Sequence, residues 1–173
     1  MIGVLMRAYL DIETTNDQRI SVIGIYRHDI GTIQLIDGGI HDVAIYDALA
    51  GCTVIVTFNG SGFDLPHIKK RLRVDLLSDF THSDLMYVCR KHGLRGGLKK
   101  IEVDTGISRG TAGITGVDAP RLWHLYETNH DNHALDVLLR YNQEDVMNLH
   151  LLEAHLGIVP AEPANPAVRR QFD

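Results

Sequence analysis

The sequence predicts an α/β fold: a mixed five-stranded sheet with helices on both faces. Three observations point to it. Strand signals crowd the first forty residues with only tight turns between them, so a meander opens the chain. The run Thr53-Val54-Ile55-Val56-Thr57-Phe58 is continuously apolar or β-branched, as in strands covered by helices on both sides. The second half carries helical periodicity, longest over residues 133–155.

The first strand spans 8–14, and Asn16-Asp17 turn it into a second over 20–26. Asp29-Ile30-Gly31 turn that into a third over 32–36, which Asp37-Gly38-Gly39 ends. His41-Asp42 open a helix that Gly51 closes at its C′ position. The strand 53–58 runs into the tight turn Asn59-Gly60-Ser61-Gly62 and a helix over 63–72, a crossover unit whose next strand is expected at 78–81. Ser83 or Asp84 caps a helix reaching about residue 92, and a further helix covers 98–105. A looser, glycine-punctuated stretch fills 107–117, and Pro120 stands near the start of a helix ending at 128. The long helix 133–155 stops at Gly157 and Pro160. With no repeat and no linker, residues 1–159 are read as one domain, and 160–173, carrying Pro160, Pro163 and Pro166, as an extended tail.

Cys52 and Cys89 alone offer no disulfide framework, so a reducing cytoplasm is expected. The stretch before Arg7 is too short for a signal sequence, and no later apolar run approaches the ~20 residues a membrane span needs. Charge is uneven. Within a chain of net charge −5, residues 67–100 carry nine Lys or Arg against three Asp, a local +6, and the remainder carries −11. Such a segment reads either as a phosphate-binding rim around an acidic centre or as solvated helix faces.

The acids supply the chemistry. Strand periodicity puts Tyr9, Asp11 and Glu13 on one face and Leu10 and Ile12 on the other, so two carboxylates stand together at a strand end. An unpaired buried carboxylate costs several kcal/mol or takes up a proton, and a divalent cation with hard oxygen ligands relieves both. The alternative is an exposed strand end. On the long helix, steps of three and four give Ala134, Leu138, Tyr141, Asp145, Leu149, Leu152 and Leu156, a core stripe with an aspartate at one position. Tyr141 and Asp145, one turn apart, reach the same small volume, unless each merely packs. Asp64 follows the glycine-rich turn and is either a helix N-cap or a fourth acid at the sheet edge where open α/β sheets place their sites.

Tyr9-Leu10-Asp11-Ile12-Glu13-Thr14-Thr15, the segment from Phe58-Asn59-Gly60 to Phe63-Asp64-Leu65-Pro66-His67-Ile68, and Tyr141-Asn142-Gln143-Glu144-Asp145 resemble the three motifs of the DEDD 3′→5′ exonucleases of the ribonuclease H-like superfamily. The Tyr-x-x-x-Asp spacing resembles the Tyr subclass (DEDDy). The second motif is similar to those of family B polymerase proofreading domains and the YprB-like group. Leu98-Lys99-Lys100-Ile101-Glu102 with Gly106-Ile107-Ser108-Arg109 is similar to that group too. The resemblance spans residues 8 to about 156.

It implies a ribonuclease H-like fold in which Asp11, Glu13, Asp64 and Asp145 hold two divalent ions, Mg²⁺ or Mn²⁺, with Asp11 bridging. One ion would activate a water and the other stabilise the leaving 3′-oxygen. Tyr141 would orient that water; with an ordinary pKa near ~10 it is a poor base. Asn59 would contact the sugar-phosphate, and Lys69, Lys70, Arg71, Arg95, Lys99 and Lys100 the backbone of a single-stranded or frayed DNA or RNA 3′ end. Polymerase, helicase or repair proteins are the expected partners, and no membrane is. An endonuclease of the same fold and a catalytically silent nucleic-acid or protein-binding module are the rival readings. His124, His130 and His133 fit no zinc spacing. His82 and Asp84 read as loop and cap, and Trp123 and Tyr126 as core.

Overall fold

Strands β1 (Arg7–Thr14), β2 (Ile20–Arg27) and β3 (Gly31–Ile36) form the expected antiparallel meander, with Asp11 opposite Gly24 and Ile25 opposite Ile33. The computed structural model describes residues 5–173; most of the stretch read as too short for a signal sequence, Met1–Val4, lies outside the described residues. Strand β4 (Val54–Thr57) pairs parallel to β1, and β5 (Thr81–Asp84) parallel to β4. A sixth strand, β6 (Val168–Gln171), pairs parallel to β3, giving the order β5-β4-β1-β2-β3-β6.

Two expectations are corrected here. The sheet has six strands rather than five, because the last proline, Pro166, precedes residue 168 and leaves β6 every amide it needs to bond the open edge of β3. Gly31 helps it dock: its φ is +84°, and a Cβ there would stand 2.2 Å from the Ala167 carbonyl oxygen. The strand expected at 78–81 lies instead at Thr81–Asp84, behind a helical turn over Leu76–Asp79 that buries Leu76. Backbone pairing with β4 sets that register, and backbone pairing is blind to the polar side chains that disguise Thr-His-Ser-Asp as a loop.

The helices are α1 (Asp42–Ala48), α2 (Asp64–Leu72), α3 (Leu76–Asp79), α4 (Leu85–Lys91), α5 (Leu98–Thr105), α6 (Ala119–Asn129) and α7 (Asn132–His155). Their ends follow capping chemistry. Ala44 N donates to His41 Nδ1 at 3.2 Å, Met86 N to Asp84 at 3.1 Å and Ala134 N to Asp131 at 3.0 Å.

The sheet divides the core. Leu10, Ile12, Ile23, Ile25, Ile33, Leu35 and Ile55 pack with α1 and α2 on one face. Tyr9, Tyr26, Val54 and Val56 pack with α4, α5 and α7 on the other, and Val22 and Ile36 meet α6 and α7. The two-residue alternation of β1 therefore points Asp11 and Glu13 at α7. Leu138, Leu149 and Leu152 anchor that helix, and burying each is worth about 1.5–3 kcal/mol, which offsets the cost of Asp145 on the same stripe.

Candidate active site

Carboxylate oxygens of Asp11, Glu13 and Asp145 lie within 4.8 Å of one another. Tyr141 stands one turn before Asp145 on α7, and all four line a cavity of about 240 Å³ with Asp64, Asn59, Phe58, Phe63 and Gly116. Asp64 is the first residue of α2 and 3 % exposed; its Oδ1 accepts from Ile12 N of β1 at 2.9 Å, which ties the helix start to the strand between the two β1 acids. It borders the cavity without joining the tight triplet. Tyr9 shares their face of β1 but its hydroxyl donates to Glu153 at 2.9 Å, away from the acids.

Polar residues that the motifs left without roles hold these acids in place. Gln34 of β3, fully buried, donates to the Leu139 carbonyl at 2.7 Å and to Asn142 Oδ1 at 3.1 Å, and Asn142 Nδ2 donates to Asp11 at 3.3 Å. Gly24 makes room for this chain: a Cβ there would lie 2.2 Å from Asn142 Oδ1. The glycine-rich turn is fixed by Asp84, whose carboxylate accepts from Asn59 N (2.7 Å), Ser61 N (3.2 Å) and Ser61 Oγ (2.7 Å) as well as capping α4. It holds Asn59 at φ 60°, a conformation asparagine tolerates better than most residues. The stretch 107–117, read as loose, is docked: Gly110 N and Thr111 N donate to Glu144 at 2.8 and 3.0 Å, and Arg109 Nη2 to Asp145 at 2.5 Å.

Two cations stand among the acids. Lys99 Nζ donates to the Tyr141 hydroxyl at 2.5 Å and lies 4.3 Å from its ring centroid, while the Arg109 guanidinium lies 5.5 Å from the same ring. They do not balance the site. Burial first, then the neighbouring carboxylates, hold Asp11 and Glu13 well above the ordinary carboxylate range, and burial pushes Asp64 up to about 7. Asp145 is raised by burial against the pull of Arg109 and Lys99. Burial and the three nearby carboxylates also raise the Tyr141 hydroxyl, so it stays protonated at neutral pH. Because Lys99 donates to its oxygen, the hydroxyl's own proton is free to be given into the cavity.

The donor set fits a divalent cation. It is all oxygen, it is short of positive charge, and Glu13 Oε1 is buried with no hydrogen-bond partner among the described residues. Asp11, Glu13 and Asp145, with Asp64 beside them, are the residues that would hold such an ion.

The basic segment divides. Lys99 reaches the site through Tyr141, whereas Lys100 on α5 and Arg95 before it are exposed, with Lys100 paired to Asp104 at 2.5 Å. Lys69, Lys70 and Arg71 occupy the last turn of α2, on the opposite face of the sheet, and Lys69 pairs with Asp75 at 2.5 Å. Trp123 is buried as expected, and His124, His130 and His133 are exposed. Asp84 is the expected cap. His82, read as a loop residue, belongs to β5 and shares a 2.9 Å hydrogen bond with Thr57.

A family profile described as RNase_H superfamily matches residues 8–157, from the first acid's strand through the helix of the last. The chain belongs to the RNase H superfamily. Among curated proteins, this superfamily member is 30% identical over 129 residues to the uncharacterized protein YprB of Bacillus subtilis (strain 168), covering 68% of this chain and 31% of YprB. The chain thus spans about a third of that relative. Among solved structures it is similar to the family B DNA polymerase of the hyperthermophilic archaeon Pyrobaculum calidifontis, with a TM-score of 0.70 at 19% identity, over 89% of this chain and 25% of the polymerase. The exonuclease domain of EXD2, soaked in Mg and dGMP, aligns at a TM-score of 0.40 and 15% identity over 91% of this chain and 86% of that domain. No helix among the described residues is long and apolar enough to cross a membrane.

Proposed function

We propose that this chain is a metal-dependent 3′→5′ exonuclease of the DEDDy type, acting on single-stranded or frayed DNA or RNA. The observation that carries the reading is the convergence of Asp11, Glu13 and Asp145 within 4.8 Å beside Tyr141, in one cavity with Asp64. Four acids from β1, α2 and α7 would hold two divalent ions, Mg²⁺ or Mn²⁺. Ions so bound supply acid strength to a water and offset charge on the leaving 3′-oxygen.

The chain's own groups do the rest. Tyr141 gives its free proton to a hydrogen bond on the attacking water and orients it, which is positioning rather than general-base catalysis. Lys99 fixes the direction of that hydroxyl by donating to its oxygen. Asn59, exposed on a turn held by Asp84, meets the sugar-phosphate at the 3′ end. Arg95, Lys99 and Lys100 follow the backbone near the site, and Lys69, Lys70 and Arg71 follow it farther along the strand.

The test uses 5′-labelled DNA and RNA oligonucleotides with free or blocked 3′ ends, in Mg²⁺ or Mn²⁺. The expected result is stepwise shortening of free 3′ ends, abolished by chelator and by Asp11→Asn, with the melting temperature of that variant equal to or above wild type because one repelling charge is gone. Cleavage by Asp11→Asn at the normal rate would sink the metal reading. Cleavage of blocked or circular strands would instead assign an endonuclease.

A further inference from the structure

We propose that Arg109 is a positioning residue of this site: an internal cation that holds Asp145 by one carboxylate oxygen and thereby presents the other to a divalent ion. The inference rests on the metal-dependent reading above.

Arg109 does not border the cavity, and its side chain is 7% exposed. Its guanidinium is gripped from behind. Nε donates to Glu102 Oε2 at 2.9 Å and Nη2 to Glu102 Oε1 at 2.6 Å, the two-pronged geometry a planar fork makes with a carboxylate. Glu102 is itself fixed by Asn148 Nδ2 at 2.9 Å, one turn past Asp145 on α7. The free edge of Nη2 then donates to Asp145 Oδ1 at 2.5 Å.

The result is a line of orientation, Asn148 to Glu102 to Arg109 to Asp145, that starts and ends on α7 and passes through α5 and the loop after it. Two neighbouring amides of that loop, Gly110 and Thr111, grip Glu144, so the arginine's backbone is pinned to the same turn of helix as the acid it holds. Without such an anchor, Asp145 faces the other acids across the cavity, and repulsion favours rotamers that turn it away. Arg109 and Glu102 are neutral as a pair, so their effect on the site is direction rather than net charge. Lysine could match the charge but not the fork.

The experiment removes the pair as a neutral unit, in Arg109→Met/Glu102→Gln, with Arg109→Lys beside it. Mn²⁺ binding is measured by calorimetry, hydrolysis is followed against Mn²⁺ concentration, and the metal-free melt is recorded. The double variant should bind Mn²⁺ at least tenfold more weakly and need correspondingly more Mn²⁺ for half-maximal activity. Its kcat should recover at saturating Mn²⁺, with KM for the oligonucleotide unchanged. Arg109→Lys should fall between the two. A folded double variant with wild-type Mn²⁺ affinity would overturn the proposal and leave Arg109 a structural residue. A raised KM for oligonucleotide at unchanged metal affinity would overturn it in favour of a substrate contact. If the double variant does not fold, Arg109→Lys decides alone, and wild-type Mn²⁺ affinity there overturns the idea. Should wild type bind Mn²⁺ but hydrolyse no nucleic acid, the exonuclease reading fails while the binding arm still judges Arg109.

Discussion

Tyr141 occupies a place that two functions compete for. Its ring fills the stripe between Leu138 and the site, under the Lys99 ammonium, and its hydroxyl carries a proton with no acceptor among the described residues. Tyr141→Phe keeps the ring and the cation above it while deleting the hydroxyl, so packing is nearly conserved and orientation is lost. The expected outcome is a fall of tenfold or more in kcat, about 1.4 kcal/mol of transition-state stabilisation, with KM little changed and a melt close to wild type. Single-turnover cleavage by this variant at the wild-type rate would take Tyr141 out of the mechanism. Asn142 and Gln34 are harder residues to read. A buried asparagine inside a motif and a buried glutamine in a strand each look like accidents until the hydrogen bonds from β3 through α7 to Asp11 are seen.

Elements separate what the chain writes as one run. Residues 67–100 form one net-basic segment in sequence, yet α2 and α5 lie on opposite faces of the sheet, so their cations form two groups rather than one rim. Each group is tested by its own salt dependence. Neutralising Arg95, Lys99 and Lys100 should flatten the plot of log affinity against log salt by about 0.7 per lost single-strand contact, and neutralising Lys69, Lys70 and Arg71 should do so in proportion to the contacts α2 makes. No change in slope after either set would return that set to the solvated surface. The stretch 107–117 shows the opposite case: eleven residues punctuated by three glycines read as loose, but Glu144 and Asp145 on α7 give its amides and its arginine fixed partners.

At the scale of the whole molecule, the site is a store of unfavourable charge. Asp11 and Glu13, held well above the ordinary range, and Asp64, at about 7, bind protons more tightly folded than unfolded. Their preference for the folded state is fully present below the ordinary carboxylate pKa and is lost as pH rises toward and past 7. His82 and His150, pushed down by burial, act in the other direction below about pH 6.5, so the informative window is pH 6.5 to 8. In chelator the protein should melt at a lower temperature at pH 8 than at pH 6.5. Saturating Mg²⁺ or Mn²⁺ should raise the pH 8 melt more than the pH 6.5 melt, since cations replace protons as the site's counter-charge. A metal-free melt that climbs across this window would refute the account.

The sequence by itself determined the meander, the doubly covered fourth strand and the long helix, and it singled out Asp11, Glu13, Asp64 and Asp145 as candidates, because each rests on local periodicity or on a short motif whose spacing survives folding. Strand alternation alone was enough to set Asp11 and Glu13 apart from Leu10 and Ile12. Only the tertiary structure decided the sixth strand, the register of β5, the facing of α2 and α5, and the supports that run from Gln34 and Glu102 to the acids. Those depend on partners far along the chain: β6 on the open edge of β3, Arg109 on an aspartate 36 residues away, Asn142 on one 131 residues away. A hydrogen bond between distant residues leaves no period in either segment, so the residues that aim a site are less legible in a sequence than those that form it.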